Sequence, residues 1–545
     1  MSATVSPSSD ATAALNQPPP MPDHNAFAAH PALREALHRE GAGWAEDRLL
    51  ALGEVAGNQQ VRDLGRLANE NPPILRTFDR YGHRIDEVEF HPAWHDLLDH
   101  ATGHGLHALP WAEPQDGAHA ARAAMFMTWN VEAGHGCPIS MTYSAVPALR
   151  KDPELAAEWE PKMEVYRYDK RFIPAPEKES VLFGMAMTEK QGGSDVRANT
   201  TRAAAIGDGE YEIFGHKWFC SAPMCDAFLV LAQTDAGLTC FVLPRFRPDG
   251  SRNAFRLQRL KDKLGNRSNA SSEVEFHGAY ARRLGEEGRG VPTIIEMVGH
   301  TRLDCVIGAA AGMRVAVEQA SWQVDHRCAF GKLLADQPLM RNVLADLALE
   351  SEAATVTAMR LARSYDDPDD AAFKRIGTAV AKYWTCKRAV PHVAEALECF
   401  GGNGFVEESG MPRLYREAPL NGIWEGSGNV ISLDVLRALV KTPETFDSFF
   451  AEVEQAKGAD ARLDAYVDTT RDAFADPATL EVRARRVVER MALSLQGSLM
   501  VRHAPPALAD AFVASRLDGD SGRAFGTLPA GVDFEAIIDR HRVHA

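Results

Sequence analysis

The chain has 545 residues, 45% of them hydrophobic, and a formal net charge of −16. That length can bury several cores, so a multidomain globular protein is expected. No apolar run approaches the roughly 20 residues a bilayer crossing needs, and the first 33 positions contain no Lys or Arg, which argues against a membrane helix, a signal peptide or a basic transit peptide and predicts a cytoplasmic protein. The negative charge opposes diffuse attraction to nucleic acid, so any DNA contact requires a local basic patch.

Residues 1–25 are rich in Ala, Ser, Thr and Pro, and Pro18-Pro19-Pro20 with Pro22 blocks regular structure, predicting a mobile or surface-draped arm. From 26 to 178 the pattern is helical, as in Pro31-Ala32-Leu33-Arg34-Glu35-Ala36-Leu37, with breaks at Pro72-Pro73 and at Pro174 to Pro176. Between 179 and 283 the period changes. Phe228-Leu229-Val230-Leu231-Ala232 and Cys240-Phe241-Val242-Leu243 are short apolar runs and Val274-Glu275-Phe276 alternates, as strands do. From 284 to 444, Leu303, Val306, Ile307, Ala310, Met313, Val317, Ala320 and Val324 recur at helical spacing and predict a bundle. Pro443 marks a boundary before a final helical region, 445–545. The eight cysteines form no CxxC pair or metal spacing, so core thiols and no metal site are expected.

The most informative stretch is Ile423-Trp424-Glu425-Gly426-Ser427-Gly428-Asn429. It sets one carboxylate between a bulky aromatic, which can keep water away and raise its proton affinity, and small residues that let backbone approach a flat ligand. Such a carboxylate suits general-base work. Taken alone, the heptapeptide equally fits a helix-entry loop.

Further motifs accompany it: Met187-Thr188-Glu189-Lys190-Gln191-Gly192-Gly193-Ser194-Asp195-Val196, Gly215-His216-Lys217-Trp218-Phe219-Cys220-Ser221, Lys263-Leu264-Gly265-Asn266-Arg267-Ser268, Arg327 to Gly331 and Gly401 to Gly404. In this order they resemble the acyl-CoA dehydrogenase flavoproteins. The phrase from Arg259 to Ser271, with the extensions on both sides of the core, is similar to the AidB branch, flavoproteins of the bacterial DNA alkylation response. The resemblance implies a mostly α fold with a central β-domain: a helical domain, a β-barrel-like middle domain and a helical bundle, plus a C-terminal helical extension. It implies bound FAD, an acyl-CoA ligand, no membrane, and a homo-oligomer, a tetramer built as a dimer of dimers.

The same resemblance assigns cofactor contacts to Met185, Met187, Thr188, Gly193, Ser194, Trp218, Phe219, Cys220 and Ser221, and to Ile423, Trp424, Gly426, Ser427, Asn429 and Leu433. It has Arg327 and Phe330 reach a neighbouring subunit's cofactor beside the Gly401-Gly402 turn. The family's hydroxyl after the tryptophan has moved by one position here, to Ser221. Pro338 and Glu398 stand where glutamines are usual, and a solvated helix-end charge is the other reading of Arg327. Glu425 is the implied base, since Thr301 occupies the alternative helix position and cannot serve. Asp304, one turn on, reads as a helix-face charge or a packing partner of Arg302.

Residues 445–545 carry 12 Lys and Arg against 16 Asp and Glu, so the tail is not basic overall. Arg483, Arg486 and Arg490 nevertheless share one helix face, with Val487, Val488, Met491, Ala492 and Leu495 on the other. That stripe is either a phosphate-binding surface for double-stranded DNA, with Arg437 as a further candidate, or a solvated face paired with Glu481 and Glu489. Three functions remain: a DNA-binding flavoprotein that limits alkylation damage, with weak isovaleryl-CoA-like dehydrogenase activity; a catabolic acyl-CoA dehydrogenase; or a flavin-stabilised scaffold.

Overall fold

The computed structural model describes residues 15–543. Residues 1–14 of the expected arm lie outside the described residues. Residues 15–25 drape along the surface, where Trp322 Nε1 donates to the Pro19 carbonyl at 2.8 Å and Arg62 to that of Met21 at 3.2 Å.

The first domain runs through helices from Pro31–Arg39 to Pro153–Met163. Proline opens several of them, at first-turn positions that need no N–H, and Asp152 caps the last by accepting from the Glu154 and Leu155 amides. The helical first domain also contains an antiparallel hairpin that the helical pattern did not indicate, β1 (Ile74–Phe78) and β2 (Arg84–Glu89), just after Pro72-Pro73. Residues of β1 alternate between exposed and half-exposed, so the strand has no buried face to leave a hydropathy signal.

The middle domain contains β3 (Phe183–Ala186), β4 (Arg202–Ala205), β5 (Glu210–Ser221), β6 (Ala227–Thr234), β7 (Gly237–Pro244), β8 (Phe255–Leu260) and β9 (Ser271–Leu284). Pairings of β6 with β4, β4 with β5, β5 with β9, β9 with β7 and β7 with β6 close the sheet into a barrel. The first six residues of β6 are all buried, which explains its uninterrupted apolar run.

The bundle is built on the helix Gly290–His326, packed against Pro338–Arg363 and Ala371–Glu398. All eight of its residues at helical spacing are buried. In the C-terminal region, the helix Ala484–His503 packs on the 338–363 and 371–398 helices and on Gly428–Lys441. Among the described residues, no helix is long and apolar enough to cross a membrane.

Asp304 does not pair with Arg302. It receives both guanidinium nitrogens of fully buried Arg122, one at 2.9 Å, joining the first domain to the long helix. Arg122 also donates to the Leu106 carbonyl at 2.9 Å and lies 3.8 Å from the Tyr143 ring centroid. Removing one partner of such a pair strands a buried charge, at about 3–5 kcal/mol. Asp304→Asn is therefore expected to lower the unfolding free energy by that amount in a denaturant titration; an unchanged midpoint would show that the pair carries no net stability.

Candidate active site

Glu425 ends a short loop before the 428–441 helix. Its backbone takes the left-handed conformation (φ 59°), followed by Gly426 at φ 113°. A non-glycine residue there is strained by about 1–3 kcal/mol and persists only if its surroundings hold it. Two cations do so. Lys382, on the 371–398 helix and 1% exposed, donates to the Trp424 carbonyl at 2.8 Å and to that of Gly426. Arg302 Nε donates to the Glu425 carbonyl at 3.0 Å. Three successive carbonyls are thereby fixed. Arg302 is itself oriented by Asp434 at 2.7 Å, which also holds Arg375 at 2.8 Å.

The Glu425 carboxylate enters a cavity of about 1860 Å³ lined by all three parts of the fold. Its Oε2 is sealed from solvent and has no hydrogen-bond partner among the described residues. Burial pushes its pKa up; the Thr301 hydroxyl, Arg302 and Lys382 pull it back in part. Thr301 thus sits beside the base whose alternative position it occupies. Trp424 is half-buried, and its Nε1 donates to Asn421 Oδ1 at 2.9 Å.

On the barrel side, Met185, Met187, Thr188, Gly193, Ser194, Phe219 and Ser221 line the same cavity. The Trp218 amide donates to the Thr188 carbonyl at 2.8 Å, tying the two motifs together. A buried ion pair fixes them further: Lys217 Nζ meets Glu189 at 2.8 Å, and Glu189 also accepts from the Thr200 and Thr201 amides. These contacts hold Glu189 down at about 2 against its own burial, while burial lowers Lys217 to about 8 despite its partner. Glu189 and Lys217 were spelled out by the motifs without any role visible in them; their charge pairing across 28 residues was the available signal. Hydroxyls, glycine backbone, thioether side chains and one 51% exposed aromatic ring are the mixture that a flavin's polar edge, phosphates and apolar faces need; of the motif's two carboxylates, Glu189 is turned away and Asp195 lines the cavity.

A β-bulge decides which residues of Trp218 to Ser221 face the cavity. Lys217 pairs with Val274 and Cys220 with Ser272, so β5 has an extra residue. Lys217 and Cys220 both point inward, Phe219 and Ser221 reach the cavity, and Trp218 lies under Lys261 Nζ at 3.8 Å. Cys220 is buried in the barrel, where desolvation pushes its thiol up to about 12, and it does not line the cavity.

Three family models match the chain: the Adaptive response protein AidB N-terminal domain over residues 16–170, the acyl-CoA dehydrogenase middle domain over 184–279 and the acyl-CoA dehydrogenase C-terminal domain over 288–440. AidB of Escherichia coli is 47% identical over 514 residues, which cover 93% of this chain and 95% of that protein. The chain belongs to the acyl-CoA dehydrogenase family, in its AidB-like branch. Acyl-CoA dehydrogenase family member 11 of Caenorhabditis elegans is 30% identical, covering 91% of this chain and 86% of the relative. The crystal structure of Caenorhabditis elegans ACDH-11 in complex with C11-CoA superposes with a TM-score of 0.84 at 27% identity, covering 97% of this chain and 92% of the other.

Of the remaining residues expected from this acyl-CoA dehydrogenase pattern, Ile423, Trp424, Gly426 and Ser427 line the cavity, whereas Asn429 and Leu433 do not; Arg437, the further candidate for a DNA phosphate, lines it as well. Arg327, Phe330, Gly401 and Gly402 lie outside it within one chain. Arg327 donates to the Asn16 carbonyl at 2.8 Å. Phe330 stands 99% exposed at φ 52°, at the tip of the hairpin of β10 (Cys328–Ala329) and β11 (Lys332–Leu333). Arg483 and Arg490 are engaged by their own chain: Arg483 donates to the Ala473 and Asp476 carbonyls at 3.0 and 2.9 Å, and Arg490 to the Thr469 and Thr470 hydroxyls. Arg486 is exposed and makes no ion pair or hydrogen bond among the described residues.

A carboxylate with a raised folded-state pKa holds its proton more tightly when folded, so its contribution to stability falls as pH rises from the ordinary carboxylate range through the raised value. Glutamine has no such ionisation. Glu425→Gln is expected to melt at a higher temperature than the parent at neutral and mildly alkaline pH, the gain shrinking as pH is lowered toward the ordinary carboxylate range. A gain independent of pH would show that Glu425 ionises normally.

Proposed function

We propose that the protein binds FAD and an acyl-CoA thioester in the shared cavity and that Glu425 removes the proton α to the thioester carbonyl. The observation that carries this reading is the sealed, unpartnered Oε2 of Glu425, a proton acceptor whose loop is held through its backbone carbonyls. Bound FAD supplies an acceptor for the hydride leaving the β-carbon, so that a carbon–carbon double bond forms between the α and β positions. Lys382 and Arg302 aim the base through the loop carbonyls, and Trp424 shields it from bulk water. Phe330, projecting from the hairpin, supports self-association in which Arg327 and Phe330 serve a neighbour's cofactor in a dimer of dimers. Glu425→Gln should retain FAD yet lose acyl-CoA-dependent bleaching of the flavin by about 100-fold or more. Bleaching at the parent rate would assign the proton to another group.

A second role is favoured by the likeness to AidB over nearly the whole chain: binding of double-stranded DNA in the alkylation response, with the dehydrogenase centre weakly active. With Arg483 and Arg490 engaged internally, Arg486 is the residue of the stripe left for a phosphate. Phosphate contacts release counterions, so Arg486→Ala is expected to lower the salt slope of duplex binding by about 1 on unrelated sequences. Arg483→Ala should instead lower the unfolding midpoint and leave that slope in place. The reverse pattern would move the contact to Arg483.

A further inference from the structure

The cavity has a second, polar end. Cys137 and Lys263 line the same cavity as Glu425, together with Glu132 and Glu417. Three domains meet at this end: Asn69 and Glu132 come from the first, Lys263 and Asn266 from the barrel, Arg413 and Glu417 from the bundle, and all six line the cavity.

Most of these groups are satisfied. Glu132 accepts from Asn69 Nδ2 at 3.3 Å and is held down at about 2, against its burial, by His135 first and then Arg413. Glu417 accepts from the Asn266 amide at 2.6 Å and from its Nδ2 at 2.9 Å. Lys263 Nζ donates to the Asn269 carbonyl at 2.7 Å and the Ser271 hydroxyl at 2.8 Å.

Two groups flanking Glu417 are not. Arg413 makes no hydrogen bond or ion pair among the described residues, and its Nη1 is buried without a partner. Asn266 Oδ1 is likewise buried and unpartnered. A saturated hydrocarbon in this lobe would leave a desolvated guanidinium donor and an amide acceptor both unmade, which is strongly unfavourable. A carboxylate would serve Arg413 but would face Asn266 Oδ1 and anionic Glu132. A hydroxyl both donates and accepts, and so serves both groups without adding charge.

We infer that the acyl group this cavity accepts carries a hydroxyl far from the thioester, read by Arg413 as donor and Asn266 Oδ1 as acceptor. This rests on the acyl-CoA reading of the cavity and specifies its substrate class. Among the described residues Arg413 makes no hydrogen bond or ion pair to the Glu425 loop, so it is a specificity residue and not part of the proton-transfer machinery.

The test is calorimetric titration of the FAD-loaded full-length protein with saturated acyl-CoAs of graded chain length, their terminally hydroxylated counterparts and the corresponding dicarboxylic mono-CoA esters. At the chain length that reaches the lobe, the hydroxylated ligand should bind about 10-fold or more tightly than the plain one, and the carboxylated ligand should gain less. Arg413→Met should erase that preference while leaving short-chain affinity and FAD content unchanged. Arg413→Lys, which keeps a donor and the charge should the methionine variant fold poorly, should retain part of it. Equal affinities at every length, or a preference that survives Arg413→Met, would overturn the inference alone. Failure of every acyl-CoA to bind would overturn the acyl-CoA reading and this inference with it.

Discussion

The site depends on two cations spent on backbone. Lys382 and Arg302 make no hydrogen bond to the carboxylate itself; they grip the carbonyls of residues 424, 425 and 426 and so hold a glutamate in a left-handed conformation that an unsupported chain would leave. Because both cations act mainly on carbonyl oxygens, the carboxylate is not neutralised by a direct ion pair. Burial then raises its proton affinity more than the nearby charges lower it. A lysine placed against the carboxylate would have produced an equally rigid loop and a poor base.

Buried charge pairs connect the parts of the fold in the same manner. Arg122 with Asp304 joins the first domain to the long helix, Lys217 with Glu189 joins two cofactor motifs, and Arg360 and Arg502 converge on Glu452. In the tail, Arg516 reaches Asp346 and Glu350, and Arg540 spans Glu35 and Glu352. Such pairs add little net stability over apolar packing, yet each fixes one arrangement, since removing one partner leaves a buried charge. The C-terminal region is thereby part of the bundle and not a module hung from it.

Domain order and the setting of Glu425 were legible because they follow from local pattern: uninterrupted apolar runs in β6 and β7, period-3.6 runs in the long helix, and a carboxylate between Trp424 and Gly426. The hairpin of β1 and β2 was not, because β1 has no buried residue and the buried face of β2 carries Asp86 beside Val88, which leaves no apolar alternation. The facing of Trp218 to Ser221 was hidden by a bulge, which inserts one residue and reverses the alternation that any strand reading assumes. Asp304 was read with its helical neighbour Arg302, whereas its partner lies 182 residues away. Helical periodicity reports which side of a helix is apolar and is silent about which charge from another domain meets a polar residue on that side.

The arginine stripe of the 484–503 helix shows the same limit from the other direction. Spacing placed Arg483, Arg486 and Arg490 on one face, and the face exists, but two of the three guanidinium groups are used to close the loop and helix before it. Arg483 precedes the first helical residue, where a cation meets the unfavourable positive end of the helix dipole; its bonds to the Ala473 and Asp476 carbonyls offset this and anchor the turn. A stripe recruited for such contacts cannot also present three free charges to a phosphate backbone. With an overall charge of −16, any nucleic-acid surface must therefore be small, centred on side chains such as Arg486 that the fold has left unpaired, and sensitive to the loss of one of them.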